Sequence, residues 1–95
     1  QGKENNGLAE SSDLIRIYPN PANRILNLEI NSIEPRVYSW KIIDMSGRVL
    51  LESNFDCKHG TNILPIDINQ LAKGIYTMQL RGDQEMKSVQ VFIND

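Results

Sequence analysis

Apolar and polar residues alternate along most of this chain with a period of two. Ile25 to Asn31 sets the pattern: Leu26, Leu28 and Ile30 fall on one side, Asn27, Glu29 and Asn31 on the other. That spacing makes a strand with one dry and one wet face. Comparable runs are Leu14–Tyr18, Val37–Asp44, Arg48–Phe55, Thr61–Ile68, Tyr76–Arg81 and Glu85–Ile93. Tyr38, Trp40 and Ile42 share a face, as do Tyr76, Met78 and Leu80. In the last run Lys87, Val89, Val91 and Ile93 lie on one side and Met86, Ser88, Gln90 and Phe92 on the other. Strands of this number, with turn signals roughly every 8–12 residues and no long helical period, predict an all-β fold. The expected architecture is an immunoglobulin-like, seven-stranded antiparallel β-sandwich with Greek-key connections.

The breaks between runs carry recognisable turn chemistry. Pro19-Asn20-Pro21 removes two backbone donors after the first strand and holds the chain extended before turning it, as for an edge strand leaving one sheet for the other. Asp44-Met45-Ser46-Gly47 offers an aspartate to bond backbone two residues on and a glycine for positive φ, hence a short hairpin with a bulge. Pro65 marks the fifth strand as an edge or bulged strand. Asn69-Gln70-Leu71 is expected to form one helical turn capped by Asp67 or Asn69. Leu71-Ala72-Lys73-Gly74-Ile75-Tyr76 reads L-x-x-G-x-Y between two strands. This is the pattern of a tyrosine corner, in which Leu71 plugs the core, Gly74 turns the chain and the Tyr76 hydroxyl bonds backbone upstream. Arg81-Gly82-Asp83 spells an integrin-binding tripeptide, but Gly82-Asp83 also suits a two-residue hairpin, and the turn is the expected role. Residues 1–13 are polar, with two glycines and no period, and read as a linker ahead of a single domain over 14–95; the alternative is an edge strand around Leu8.

Composition narrows the chemistry. The 95 residues suffice for one core. The net charge of −2 gives no electrostatic footprint for nucleic acid, and no apolar run approaches the ~18 residues of a spanning helix. Cys57 is the only cysteine, so no internal disulfide forms, and a Cys…Trp…Cys antibody signature is absent. Cys57 and His59 in the predicted loop Asp56–Gly60 are too few ligands for zinc, which takes three or four. Asp44 has no second carboxylate positioned with it and is assigned to its turn. Trp40, mid-strand, is a core residue rather than a sugar platform. With no acid–base pair or nucleophile, the residues point away from an enzyme, and no metal or cofactor is expected.

Several of these pieces occur in the order found in one family: Ile17-Tyr18-Pro19-Asn20-Pro21-Ala22, Leu26-Asn27-Leu28, Lys41 to Val49 around Asp44 and Gly47, Ile66 to Tyr76 around Leu71 and Gly74, and Lys87-Ser88-Val89-Gln90-Val91. The chain resembles the C-terminal sorting domain of the type IX (Por) secretion system of Bacteroidota, from about Leu14 to Ile93. Trp40 departs from it, being bulkier than the small aliphatic residue expected there. The resemblance implies a non-catalytic signal that sends a cargo protein, attached upstream, through the periplasm and across the outer membrane to the cell surface or medium. It implies recognition by the outer-membrane translocon and a shuttle protein. It also implies cleavage within the linker by a surface sortase, with attachment of the cargo to the surface. The positions matching the family's motifs are Pro19, Asn20, Pro21, Asp44, Gly47, Leu71, Gly74, Tyr76, Lys87, Val89 and Val91. The last strand, an edge with unpaired backbone groups, suits recognition or a weak homodimer. The competing reading is a fibronectin-like accessory or carbohydrate-binding module of a secreted hydrolase.

Overall fold

Seven strands alternate between two sheets in the computed structural model, which describes residues 13–83 and 85–94. The predicted linker, apart from Asp13, and the alternative strand around Leu8 lie outside the described residues. The strands are β1 (Leu14–Tyr18), β2 (Ile25–Ser32), β3 (Arg36–Ile43), β4 (Val49–Cys57), β5 (Gly60–Asp67), β6 (Gly74–Arg81) and β7 (Met86–Ile93). One sheet has the order β1-β2-β5 and the other β4-β3-β6-β7, every pairing antiparallel. Among the described residues there is no helix. The chain changes sheet between β2 and β3, between β4 and β5, and between β5 and β6. This is the immunoglobulin-like sandwich that the alternation predicts.

The core follows from that alternation. Leu26, Leu28 and Ile30 of β2 face Tyr38, Trp40 and Ile42 of β3 and Tyr76, Met78 and Leu80 of β6, with Val91 and Ile93 closing one flank. All are buried, and each large apolar side chain removed from water contributes about 1.5–3 kcal/mol. Trp40 is 7% exposed, a core residue as expected. Pro65 sits on β5, an edge strand, opposite Asn27, where its missing N–H costs no central ladder bond.

Four local expectations need correction. Pro19–Pro21 does not move the chain to the second sheet, because β1 and β2 are neighbours in the same sheet. Instead the segment reaches across to touch the second sheet, where Ala22 forms a parallel bridge with Ile93, and then returns. Residues 69–71 form one hydrogen-bonded turn and no helix: Leu71 N–H bonds Ile68 C=O, while Asp67 caps the turn as expected, its Oδ1 accepting the Asn69 N–H at 2.9 Å. The last hairpin closes at Gly82–Glu85, where Gly82 N–H donates to Glu85 C=O at 2.8 Å, so Gly82 closes the turn instead of standing at its tip. Gly82 is needed here for space, since a Cβ at this position would stand 2.8 Å from the Tyr38 ring. Cys57 does not lie in a loop but ends β4 with its side chain buried. Burial, with the negative charges of Asp13 and Asp56, pushes its thiol up to about 11, which leaves it unreactive at neutral pH.

Beneath Gly82 lies a buried polar cluster. Asp13, the last residue of the predicted linker, turns its carboxylate into the sandwich. It accepts hydrogen bonds from the Tyr38 hydroxyl, from Ser32 Oγ at 3.3 Å and from Ile33 N–H at 3.0 Å, and pairs with Arg36 at 3.5 Å. Burial alone would raise its pKa; the Tyr38, Ile33, Arg36 and Ser32 interactions together outweigh burial and hold it below the usual carboxylate value. Burial and the Asp13 carboxylate in turn raise the Tyr38 phenol well above its ordinary value.

Candidate recognition surface

The turn residues singled out in the sequence meet at the end of the sandwich opposite this cluster. Asp44 closes the β3–β4 hairpin. Its Oδ1 accepts Ser46 N–H at 2.9 Å, the Ser46 hydroxyl at 2.7 Å and Arg48 N–H at 2.9 Å. The Ser46 hydroxyl and the Arg48 N–H foremost hold this carboxyl down to about 2. Gly47, at φ 92°, supplies the left-handed residue that the turn requires. The register slips between Ile42 and Ile43, the expected bulge. Asp44 is thus spent on backbone donors, a turn role.

Next to this hairpin stands the tyrosine corner. The Tyr76 hydroxyl donates to Ala72 C=O, four residues upstream. Leu71 is half-buried against the core, and Gly74 begins β6 with φ 155°. One groove of about 290 Å³ runs between the hairpin and the corner, lined by Asp44–Ser46 and Lys73–Tyr76. A second, of about 450 Å³, adjoins it through Lys73–Ile75 and is lined also by Pro21 and Phe92–Asn94. Exposed apolar side chains border them: Met45 the first, Phe92 the second and Ile75 both.

Asn20 joins the prolines to this end. Its side-chain amide donates to Gln90 C=O at 3.1 Å, and its side-chain oxygen accepts Phe92 N–H at 3.0 Å. Ala22 continues the contact, donating to Phe92 C=O at 2.8 Å and accepting Asn94 N–H at 2.7 Å. A side-chain amide has the same donor and acceptor as a peptide group, so Asn20 serves as one more rung on the edge of β7.

The structure therefore brings Pro21, Asn20, Asp44, Gly47, Leu71, Gly74 and Tyr76 to one end, with Pro19 beside them. It does not bring Lys87 there. On β7, Val91 is buried and Val89 half-buried, while Lys87 is exposed opposite Leu80, toward the far end of the strand. The sequence reading missed Ala22, Lys73, Ile75 and Phe92 as members of this surface. The alternation does put Ile75 and Phe92 on the outward face, and their register as direct partners is the signal that was there to find. Cys57 and His59 form no joint site, since Cys57 points into the core and His59 is exposed. Among the described residues no group of His, Cys, Asp and Glu could hold a metal ion.

What these features define is an immunoglobulin-like sandwich whose distinctive residues build turns, a corner and an edge rather than surrounding a reactive centre. The model of one family, the secretion system C-terminal sorting domain, matches residues 16–94, and the chain belongs to that family. It is accordingly a sorting signal of type IX secretion, which implies export across the outer membrane by the type IX machinery. Domains of this family are in general non-catalytic. No curated protein matches the chain.

Proposed function

We propose that this domain delivers a cargo protein joined upstream to the outer-membrane type IX translocon, that a shuttle protein receives it, and that it has no catalytic role of its own. In the same reading a surface sortase cuts within the polar residues ahead of Asp13 and leaves the cargo on the cell surface. The observation that carries the proposal is the gathering of the family's turn residues around two adjoining grooves at one end of the sandwich. Antiparallel topology alone puts these connections at one end; what supports recognition there is the pair of adjoining grooves with Met45, Ile75 and Phe92 exposed around them. Asp13 supports the position of the cut, because its buried carboxylate ties the start of the folded unit to β3, and a protease needs extended, accessible chain.

The test is a transplant. Residues 1–95 are fused behind a signal peptide and a fluorescent reporter in a Bacteroidota host with a working type IX system, beside a translocon-deficient strain. Reporter reaching the surface or medium only when the translocon is present is the expected outcome. Periplasmic retention of a folded fusion would refute the proposal.

A further inference from the structure

Among the described residues the outer edge of β7 is closed along one half and open along the other. In an antiparallel pair each residue directs its N–H and C=O to the same side, and the side alternates from residue to residue. β7 pairs with β6 in unbroken register from Met86 to Ile93. The clasp by Asn20 and Ala22 uses Gln90 C=O, both backbone groups of Phe92 and Asn94 N–H, so even-numbered residues face away from β6. By alternation Met86 and Ser88 also face outward. Among the described residues nothing takes the N–H or C=O of Ser88 or the N–H of Gln90.

Three cations stand around this open half, with Glu52 on the far side of Lys41 as its cross-strand partner. A groove of about 210 Å³ on the outer face of the sheet is lined by Ser39, Lys41, Gln79, Leu80, Arg81 and Met86. Lys41 and Arg81 are exposed on this outer face and Lys87 on the opposite face of β7, and none has a carboxylate within ion-pair distance among the described residues. Glu85, beside them, is directed at the Tyr38 hydroxyl. Met86 is 59% exposed and offers an apolar contact at the mouth of the groove.

We propose that the Met86–Gln90 half of the β7 edge is the docking edge for one extended, acidic segment of the export machinery, which adds to the four-stranded sheet as a further strand. This rests on the sorting reading and specifies its mode. Backbone pairing with Ser88 supplies affinity, and carboxylates on the two sides of the added strand, one toward Arg81 on the outer face and one toward Lys87 on the inner, supply selection. Asn20 sets the limit of the added strand, since the edge beyond Gln90 N–H is already taken. A second copy of this chain is a poor occupant because it would bring its own Lys87 to the same edge.

The test uses the reporter fusion with residues 1–95. Ser88→Pro removes an outward N–H and leaves the β6–β7 ladder untouched, because Ser88 gives that ladder no bond. With the unfolding temperature of the fusion unchanged, translocon-dependent export is expected to fall about tenfold, as for the loss of one or two interfacial hydrogen bonds. The double variant Arg81→Glu/Lys87→Glu changes only exposed side chains and is expected to lower export to a similar extent. A folded Ser88→Pro fusion exported at the unmodified level overturns the proposal. Should Ser88→Pro misfold, normal export of the double variant overturns it instead. Loss of a purified dimer in Ser88→Pro with export unchanged would assign the edge to a second copy, again against the proposal. Failure of the unmodified fusion to leave the periplasm is a different result and removes the sorting reading itself.

Discussion

The two ends of the sandwich are held by different chemistry. At one end a carboxylate is buried among the groups that satisfy it: Asp13 with Tyr38, Ser32, Ile33 and Arg36. At the other, the hydrogen bonds lie at the surface and serve backbone: Asp44 on its hairpin, Tyr76 on Ala72, Asn20 on β7. Inside the first end the polar groups are spent on one another, and what this end offers a partner lies outside the cluster, on the sheet edge and groove beside Met86. The second leaves grooves and apolar side chains exposed around a rigid frame. One end is fastened from within, by a buried carboxylate, and the other from without, by surface hydrogen bonds to backbone.

That contrast can be broken at graded points. Asp13→Ala should cost most, about 3 kcal/mol, because Arg36 and Tyr38 lose the partner that offsets their burial. Denaturant unfolding measures it, and a loss below ~1 kcal/mol would mean the cluster does not hold this end. Gly82→Ala should follow at about 2 kcal/mol, since its methyl group meets the Tyr38 ring, whose hydroxyl is tethered to Asp13 and cannot retreat. Combining it with Tyr38→Leu should recover part of that loss if the ring is the obstacle. At the opposite end Tyr76→Phe removes a single hydrogen bond and should cost about 1 kcal/mol with the fold retained. Unchanged thermal unfolding would count against the corner. Smallest is Asn20→Ala, whose effect on global stability should stay within ~0.5 kcal/mol as for other exposed positions. Its signature is local: faster hydrogen exchange at the Phe92 amide, with the amides of the β3–β6 pair unaffected.

The ends should also part company in acid. Asp13 has a folded pKa below its unfolded value of 3.8. Its contribution is therefore complete above that value and is lost as the pH falls through the folded one. Below about pH 4, thermal unfolding should vary less with pH in Asp13→Asn than in the unmodified chain. Asp44, with its carboxyl near 2, titrates in the lower part of the same window but sits at the surface, so Asp44→Asn should change the profile less.

The surface end was largely legible in the sequence and the buried end was not. Asp44, Gly47, Leu71, Gly74 and Tyr76 act over four or five residues, so spacing alone exposes them. Period-two alternation likewise placed the strands and the core faces, Trp40 included. Asp13 acts across 20 and 25 residues, on Ile33 and Tyr38, and nothing in a polar stretch distinguishes a carboxylate that will be buried from one that stays wet. Gly82 looked like a turn glycine, and its actual constraint, a phenol ring on another strand, is invisible until β3 and β6 are paired. Cys57 was assigned to a loop because its neighbours are polar, whereas the strand simply runs on to it. Asn20 was legible as a member of its motif but not in its action, since its partners lie 70 and 72 residues away.

That last separation has a bearing on biosynthesis. A clasp between residue 20 and residues 90–92 cannot form until nearly the whole domain has emerged from the ribosome, and contacts this distant close late in folding. A product cut short before β7 would leave Asn20 without its rungs, β6 with a bare flank and the docking edge unmade. In such a protein the address would become readable only once the message had been finished.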